Sequence, residues 1–126
     1  MEKMVKIDGK EVGFRATALT PRIYRHKIGR DMIQDLNKLQ GAYNKAMRLP
    51  AEATDEERKE AQLSALDLEI FENAAYVMAK QYDANLPNSP EEWLDGFETF
   101  SIYEILPAIL ELWQLNSATT AKPKKK

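Results

Sequence analysis

The chain contains no cysteine. Disulfides, thiolate nucleophiles, zinc-thiolate sites and iron-sulfur clusters are therefore excluded, and the composition suits a reducing compartment without demanding one. Histidine is almost as scarce. His26 stands alone among Arg22, Arg25, Lys27 and Arg30, where neighbouring positive charge opposes its protonation and no carboxylate lies at fixed helical reach to orient it. It reads as a surface residue rather than a catalytic base. The five glycines, at 9, 13, 29, 41 and 96, are scattered and form no phosphate-cradling loop. No run of about 18 apolar residues occurs, so no membrane-spanning helix is expected, and Met1 to Lys6 lacks the apolar core of a secretory signal. No cluster of His, Asp and Glu has metal-ligand spacing. The acidic pairs Glu56-Glu57 and Glu91-Glu92 fall in predicted first helical turns, where the helix dipole accounts for them. Neither an enzyme, a metal site nor a cofactor is expected.

What is present fits one soluble globular domain. At 126 residues the chain can bury roughly two-thirds of its unfolded surface, and 44% hydrophobic with 30% charged residues is neither disordered throughout nor fibrous. The net charge of -2 conceals an asymmetry. Residues 1–30 carry net +5, residues 31–121 carry net -11, and the last five residues add four lysines. A basic end and an acidic body favour head-to-tail association, which closes into rings or continues as spirals.

Val5 and Ile7, then Val12, Phe14 and Ala16, alternate with polar residues around Asp8-Gly9, the pattern of a β-hairpin. A four-residue loop, Asp8 to Glu11, predicts Ile7 opposite Val12 and Val5 opposite Phe14. Two strands alone are marginal in water, so this hairpin must pack on helices or pair with a neighbour. Thr20-Pro21 has the character of a helix start with a hydroxyl cap, and Tyr24, Ile28, Met32, Leu36, Leu39, Tyr43 and Met47 form one apolar stripe. Gly29 marks a kink or a short break within it. Thr54 and Glu57 predict a capping box opening a long helix from Asp55 to about Asp83, with Leu63, Leu66, Ile70, Ala74, Val77 and Gln81 on one face. Ser89-Pro90 opens a short helix. A last helix follows Ser101, with Pro107 early enough to bend rather than abolish it.

The expected fold is mostly α with a small N-terminal β-hairpin (α+β). It is a compact helical domain of about four to five helices over residues 1–116, with the hairpin at about 4–16 and a flexible lysine-rich tail over 117–126. The cluster Arg15, Arg22, Arg25, Lys27 and Arg30 invites comparison with nucleic-acid binders. The acidic pI near 5.5 and the lack of a reading motif disfavour it. Aromatic residues crowd the last third, mostly as expected core. One or two of Trp93, Phe97, Phe100, Tyr103 and Trp113, with Trp93 and Trp113 as the interface candidates, are expected to line a groove for a partner helix.

The ordered set of motifs resembles one family. A small Asp-Gly hairpin, then Thr20-Pro21-Arg22-x-Tyr24-Arg25, then Ile28-Gly29-Arg30-Asp31-Met32-Ile33-x-Asp35-Leu36, is similar to the tail assembly chaperones of long-tailed bacteriophages and prophages of Gram-positive bacteria. Leu68-x-Ile70-Phe71-x-Asn73-Ala74-Ala75-Tyr76-Val77-Met78-Ala79, then Pro90 to Leu94 and Ile105 to Trp113, continue the likeness over nearly the whole chain. The resemblance implies a non-enzymatic factor, made in the host cytoplasm and absent from the mature virion. It would coat and solubilise the tape measure protein and help recruit tail tube subunits through a longer, frameshifted product, for which Lys124-Lys125-Lys126 would supply slippery codons.

Beside it, the residues themselves predict self-association through Val5, Ile7, Val12 and Phe14, with Arg22, Arg25 and Arg30 meeting acidic residues of a neighbour. The alternative is a small helical adaptor or regulator that binds another protein.

Overall fold

The structure, a computed structural model, describes residues 1–120, with side chains placed through Gln114. Its described residues form a two-stranded antiparallel hairpin, β1 (Glu2–Ile7) and β2 (Lys10–Arg15), followed by six helices: α1 (Thr20–Ile28), α2 (Met32–Met47), α3 (Asp55–Ala61), α4 (Ala65–Tyr82), α5 (Pro90–Leu94) and α6 (Ile102–Thr120). The α+β expectation holds. Of the flexible tail expected over 117–126, residues 117–120 belong to α6, which continues to Thr120, and residues 121–126 lie outside the described residues.

The hairpin turns on two residues, not four. Asp8 and Gly9 both have positive φ, 55° and 78°, as the tight turn whose twist matches the flanking strands requires. The register is therefore Val5 with Val12, Lys3 with Phe14 and Ile7 with Lys10. Because this differs from the expected pairing by an even step, the apolar side chains keep a common face. Ile7 and Phe14 are buried there, and Val5 and Val12 pack half-buried beside them. β2 lies against α4 and β1 against α6.

Of the two possibilities at Gly29, a kink or a short break with a restart near Arg30-Asp31, the structure has the break. Gly29 adopts the left-handed conformation at φ 83°, and its N–H bonds to the Arg25 carbonyl, closing α1. Asp31 then caps α2, accepting from the amides of Ile33 and Gln34. Thr20 is not the predicted cap. It is the first residue of α1, and its hydroxyl accepts from the Thr17 amide and donates to Gln81 Oε1 at 2.6 Å, fastening the start of α1 to the end of α4.

The long helix expected from Asp55 to Asp83 is also divided. The Thr54–Glu57 box forms as predicted, but α3 stops at Ala61, and Gln62 turns to ψ 138°. Ser64 and Asp67 make a second reciprocal box that starts α4. The restart resets the helical phase, so Leu66, expected in the core, is exposed, while Ile70, Phe71 and every residue from Ala74 to Ala79 are buried. Six helices result where four to five are expected.

α4 is the axis of the core, touching β2, α1, α2, α5 and α6. Ala74, Ala75 and Ala79 let neighbours approach it closely. Pro107 sits on the exposed side of α6, where the Tyr103 carbonyl that its missing N–H leaves without a helical donor belongs to an equally exposed residue, and the helix runs through it. No helix among the described residues is long and apolar enough to cross a membrane.

Candidate interaction surface

Among the sequence-predicted contact residues, the structure separates those that fill the core from those that face solvent. Phe14 meets Trp93 edge-on, with ring centroids 6.5 Å apart. Trp93 in turn meets Tyr76, Phe97 and Phe100, with centroids 5.2 to 5.9 Å away. Ile7, Phe14, Trp93 and Trp113 are each at most 4% exposed, so their side chains pack this chain's own interior, and of the four only Trp93 also contributes, with Val12, to the lining of the groove described below. Val5 and Val12 retain partial exposure as a cross-strand pair.

The three arginines also divide. Arg30 is held within the chain, its Nε and Nη2 donating to the two oxygens of Asp35 at 2.7 and 2.8 Å. The Tyr24 hydroxyl donates to the same carboxylate at 2.9 Å. Burial opposes the charge on Asp35, but the hydrogen bonds from Arg30 and Tyr24 and the guanidinium charge outweigh it, holding its pKa below the usual 3.8. Burial, and then the bond to Asp35, push the Tyr24 phenol upward. This triad fixes the α1–α2 corner. Arg22 and Arg25 stay exposed, with no ion pair given among the described residues. They share the outer face of α1 with His26, Lys27 and Leu19, which is 51% exposed.

An apolar recess lies elsewhere, as a groove of about 360 Å³ between the hairpin, the end of α4 and the α5–α6 connection. Met4, Tyr82, Leu86, Pro87 and Phe97 form its apolar lining, and Glu11, Asp83 and Glu92 stand around it. Those three carboxylates have no cationic partner among the described ion pairs. The nearby ammonium of Lys10 donates to the Gly96 carbonyl at 3.0 Å and sits 5.5 Å from the Phe97 ring centroid.

The groove's walls are held from within. Lys80 donates to the carbonyls of Ala84 and Leu86 and to Asn88 Oδ1, and the Tyr76 hydroxyl donates to the Pro87 carbonyl at 2.6 Å. These bonds brace the loop that follows α4. Asp8 accepts from the Glu98 amide, tying the hairpin turn to the α5–α6 connection. Tyr82 lies on β2 at Gly13, where an added Cβ would stand 2.3 Å from the ring.

Sequence reasoning missed Met4, Tyr82, Leu86 and Pro87, whereas Trp93 and Phe97 are among the aromatic residues it offers for a groove. One signal was available: a glycine inside a strand marks a close approach by another part of the chain, and Gly13 occupies that position. Its partner could not be read from the sequence, because Tyr82 is 69 positions away and off the apolar stripe of its helix. Comparison with protein-family models, with curated proteins and with solved structures gives no match for this chain.

Proposed function

We propose that this chain is a non-enzymatic assembly chaperone of a long-tailed bacteriophage. It self-associates, coats and solubilises the tape measure protein in the host cytoplasm, and recruits tail tube subunits through a longer frameshifted product before leaving the finished particle. The observation that carries the reading is the braced apolar groove lined by Met4, Tyr82, Leu86, Pro87 and Phe97, with Glu11, Asp83 and Glu92 beside it in none of the described ion pairs. Helix-binding proteins take apolar side chains spaced three and four apart into such grooves, and a long helical client offers that spacing repeatedly. Many small subunits, each with one groove, convert weak single contacts into a stable coat by raising the local concentration of sites. The exposed cations of α1 give the same surface chemistry an opposite sign, which supports association between copies.

The test is co-expression with the longest neighbouring reading frame, measuring solubility and co-purification of that product with and without this chain. A long product that is soluble only in the chain's presence, and elutes with it, bears the proposal out. Unchanged solubility with no co-purification overturns it and leaves the adaptor reading first. Within the self-association part, high salt should dissociate copies without unfolding them, since exposed ion pairs are screened over about 10 Å at 0.1 M salt.

A further inference from the structure

The free edge of the hairpin is self-complementary, and we infer that two copies of this chain pair through β1 to form a continuous four-stranded sheet. Met1 and Ala16 exchange both backbone hydrogen bonds, at 2.9 and 3.1 Å. Hydrogen-bonded and non-hydrogen-bonded pairs alternate along an antiparallel ladder. Lys3–Phe14, Val5–Val12 and Ile7–Lys10 are therefore the bonded pairs that follow. The amides and carbonyls of Glu2, Met4 and Lys6 consequently point away from β2, and no hydrogen bond is given to them from any described residue. All three side chains are exposed, Met4 by 50%. The neighbouring helix α6 is engaged through the intervening Lys3, whose ammonium is 2.8 Å from Glu111.

An unpaired edge is ordinarily protected by lysine, which repels an incoming strand. Here the lysine is answered. In an antiparallel pairing centred on Met4, Glu2 faces Lys6 of the second copy, Met4 faces Met4, and Lys6 faces Glu2. Each facing pair consists of residues whose backbone groups point outward, so each pair can exchange two hydrogen bonds. A shift of two residues in either direction sets Met4 against a charge, and a parallel in-register pairing sets like charges side by side, which is unfavourable. One register therefore satisfies both the backbone and the charges. The arrangement is isologous and closes on itself.

The absence of cysteine makes the test clean. Single variants Met4→Cys, Glu2→Cys, Lys6→Cys and, as an exposed control on α2, Lys45→Cys are treated with a short bismaleimide, while the unmodified chain is weighed by sedimentation equilibrium. The unmodified chain is expected to sediment as a dimer or a multiple of dimers. Met4→Cys should cross-link with itself on the order of a hundredfold faster than Lys45→Cys, reflecting a millimolar local concentration against micromolar protein. Glu2→Cys mixed with Lys6→Cys should cross-link at a comparable rate, and each alone much more slowly. Lys6→Glu, with its helical circular dichroism unchanged, should shift the chain toward monomer. Cross-linking of Met4→Cys no faster than the control, or a monomer at every concentration, overturns the pairing. The pairing rests on the self-association in the proposed function: slow Met4→Cys cross-linking in a chain that still sediments as an oligomer overturns the pairing alone, whereas a monomer at every concentration overturns that self-association as well.

Discussion

Replacing Gly13 by alanine isolates the contact that shapes the groove floor. The ideal Cβ would stand 2.3, 2.5 and 2.6 Å from three ring carbons of Tyr82, against ordinary contacts of 3.4 Å and above, so the ring must move outward by about 1 Å or more. Tyr82 is 43% exposed. A fully buried tyrosine removes about 150–250 Å² from water, so roughly 100 Å² is at stake here, worth at most about 2.5 kcal/mol at 25 cal/mol/Å². Alanine recovers about 0.5–1 kcal/mol relative to glycine in a strand, leaving a net destabilisation of about 1–2 kcal/mol.

The decisive comparison is a double-mutant cycle followed by urea unfolding. In a Tyr82→Ala background the obstacle is gone, and Gly13→Ala should be neutral or stabilising by up to about 1 kcal/mol. The coupling between the two sites is then about 2 kcal/mol. If Gly13→Ala costs the same in both backgrounds, the ring does not rest on β2 and this account of the groove floor is refuted.

Two other glycines predict opposite signs for one substitution. Neither Gly29 nor Gly41 has an atom within 4 Å of an added Cβ, so backbone conformation alone decides: Gly41→Ala in α2 should stabilise by about 1 kcal/mol, whereas Gly29→Ala, at φ 83°, should cost about 1 kcal/mol. Thermal unfolding of both checks this, and equal signs would contradict the assigned helix boundary. Ser64→Ala should cost about 1 kcal/mol by opening the box that starts α4, read as a lower urea midpoint at unchanged slope.

Asp35 and Asp67 both have folded pKa values below 3.8. For Asp67, burial is outweighed by the Ser64 amide and by Lys38 at 3.0 Å. Their contribution is complete above about pH 5 and is lost as pH falls through the depressed folded values. Asp35→Asn should therefore lower stability at neutral pH by about 1–3 kcal/mol and shrink the acid-induced loss. An unchanged acid slope, measured by urea titrations across pH, would show that Asp35 does not drive it.

Elements with local causes were legible in the order of the residues alone. The period-two alternation around Asp8-Gly9, the Thr54–Glu57 box and Ser89-Pro90 each depend on residues within a few positions of one another, and each formed where the pattern placed it. Where two local signals competed, the apolar stripe masked the boundary. Leu63 and Leu66 continue a helical spacing across a break that Ser64 and Asp67 create, and the tight turn at Asp8-Gly9 overrode a longer loop that fitted the same alternation.

Only the tertiary structure decided which apolar and charged groups remain available. Phe14 and Trp93 looked equally suited to a partner or a core until their edge-on contact placed both inside. Arg30 looked like its neighbours Arg22 and Arg25 until Asp35 claimed it. The groove exists because Tyr82 reaches Gly13 and because Lys80 and Tyr76 hold the loop after α4. The Tyr82–Gly13 approach joins positions far apart in the chain, and Lys80 and Tyr76 act across a turn with no regular period. Burial and pairing are properties of the packed chain as a whole, whereas a turn or a cap is settled by a few successive residues.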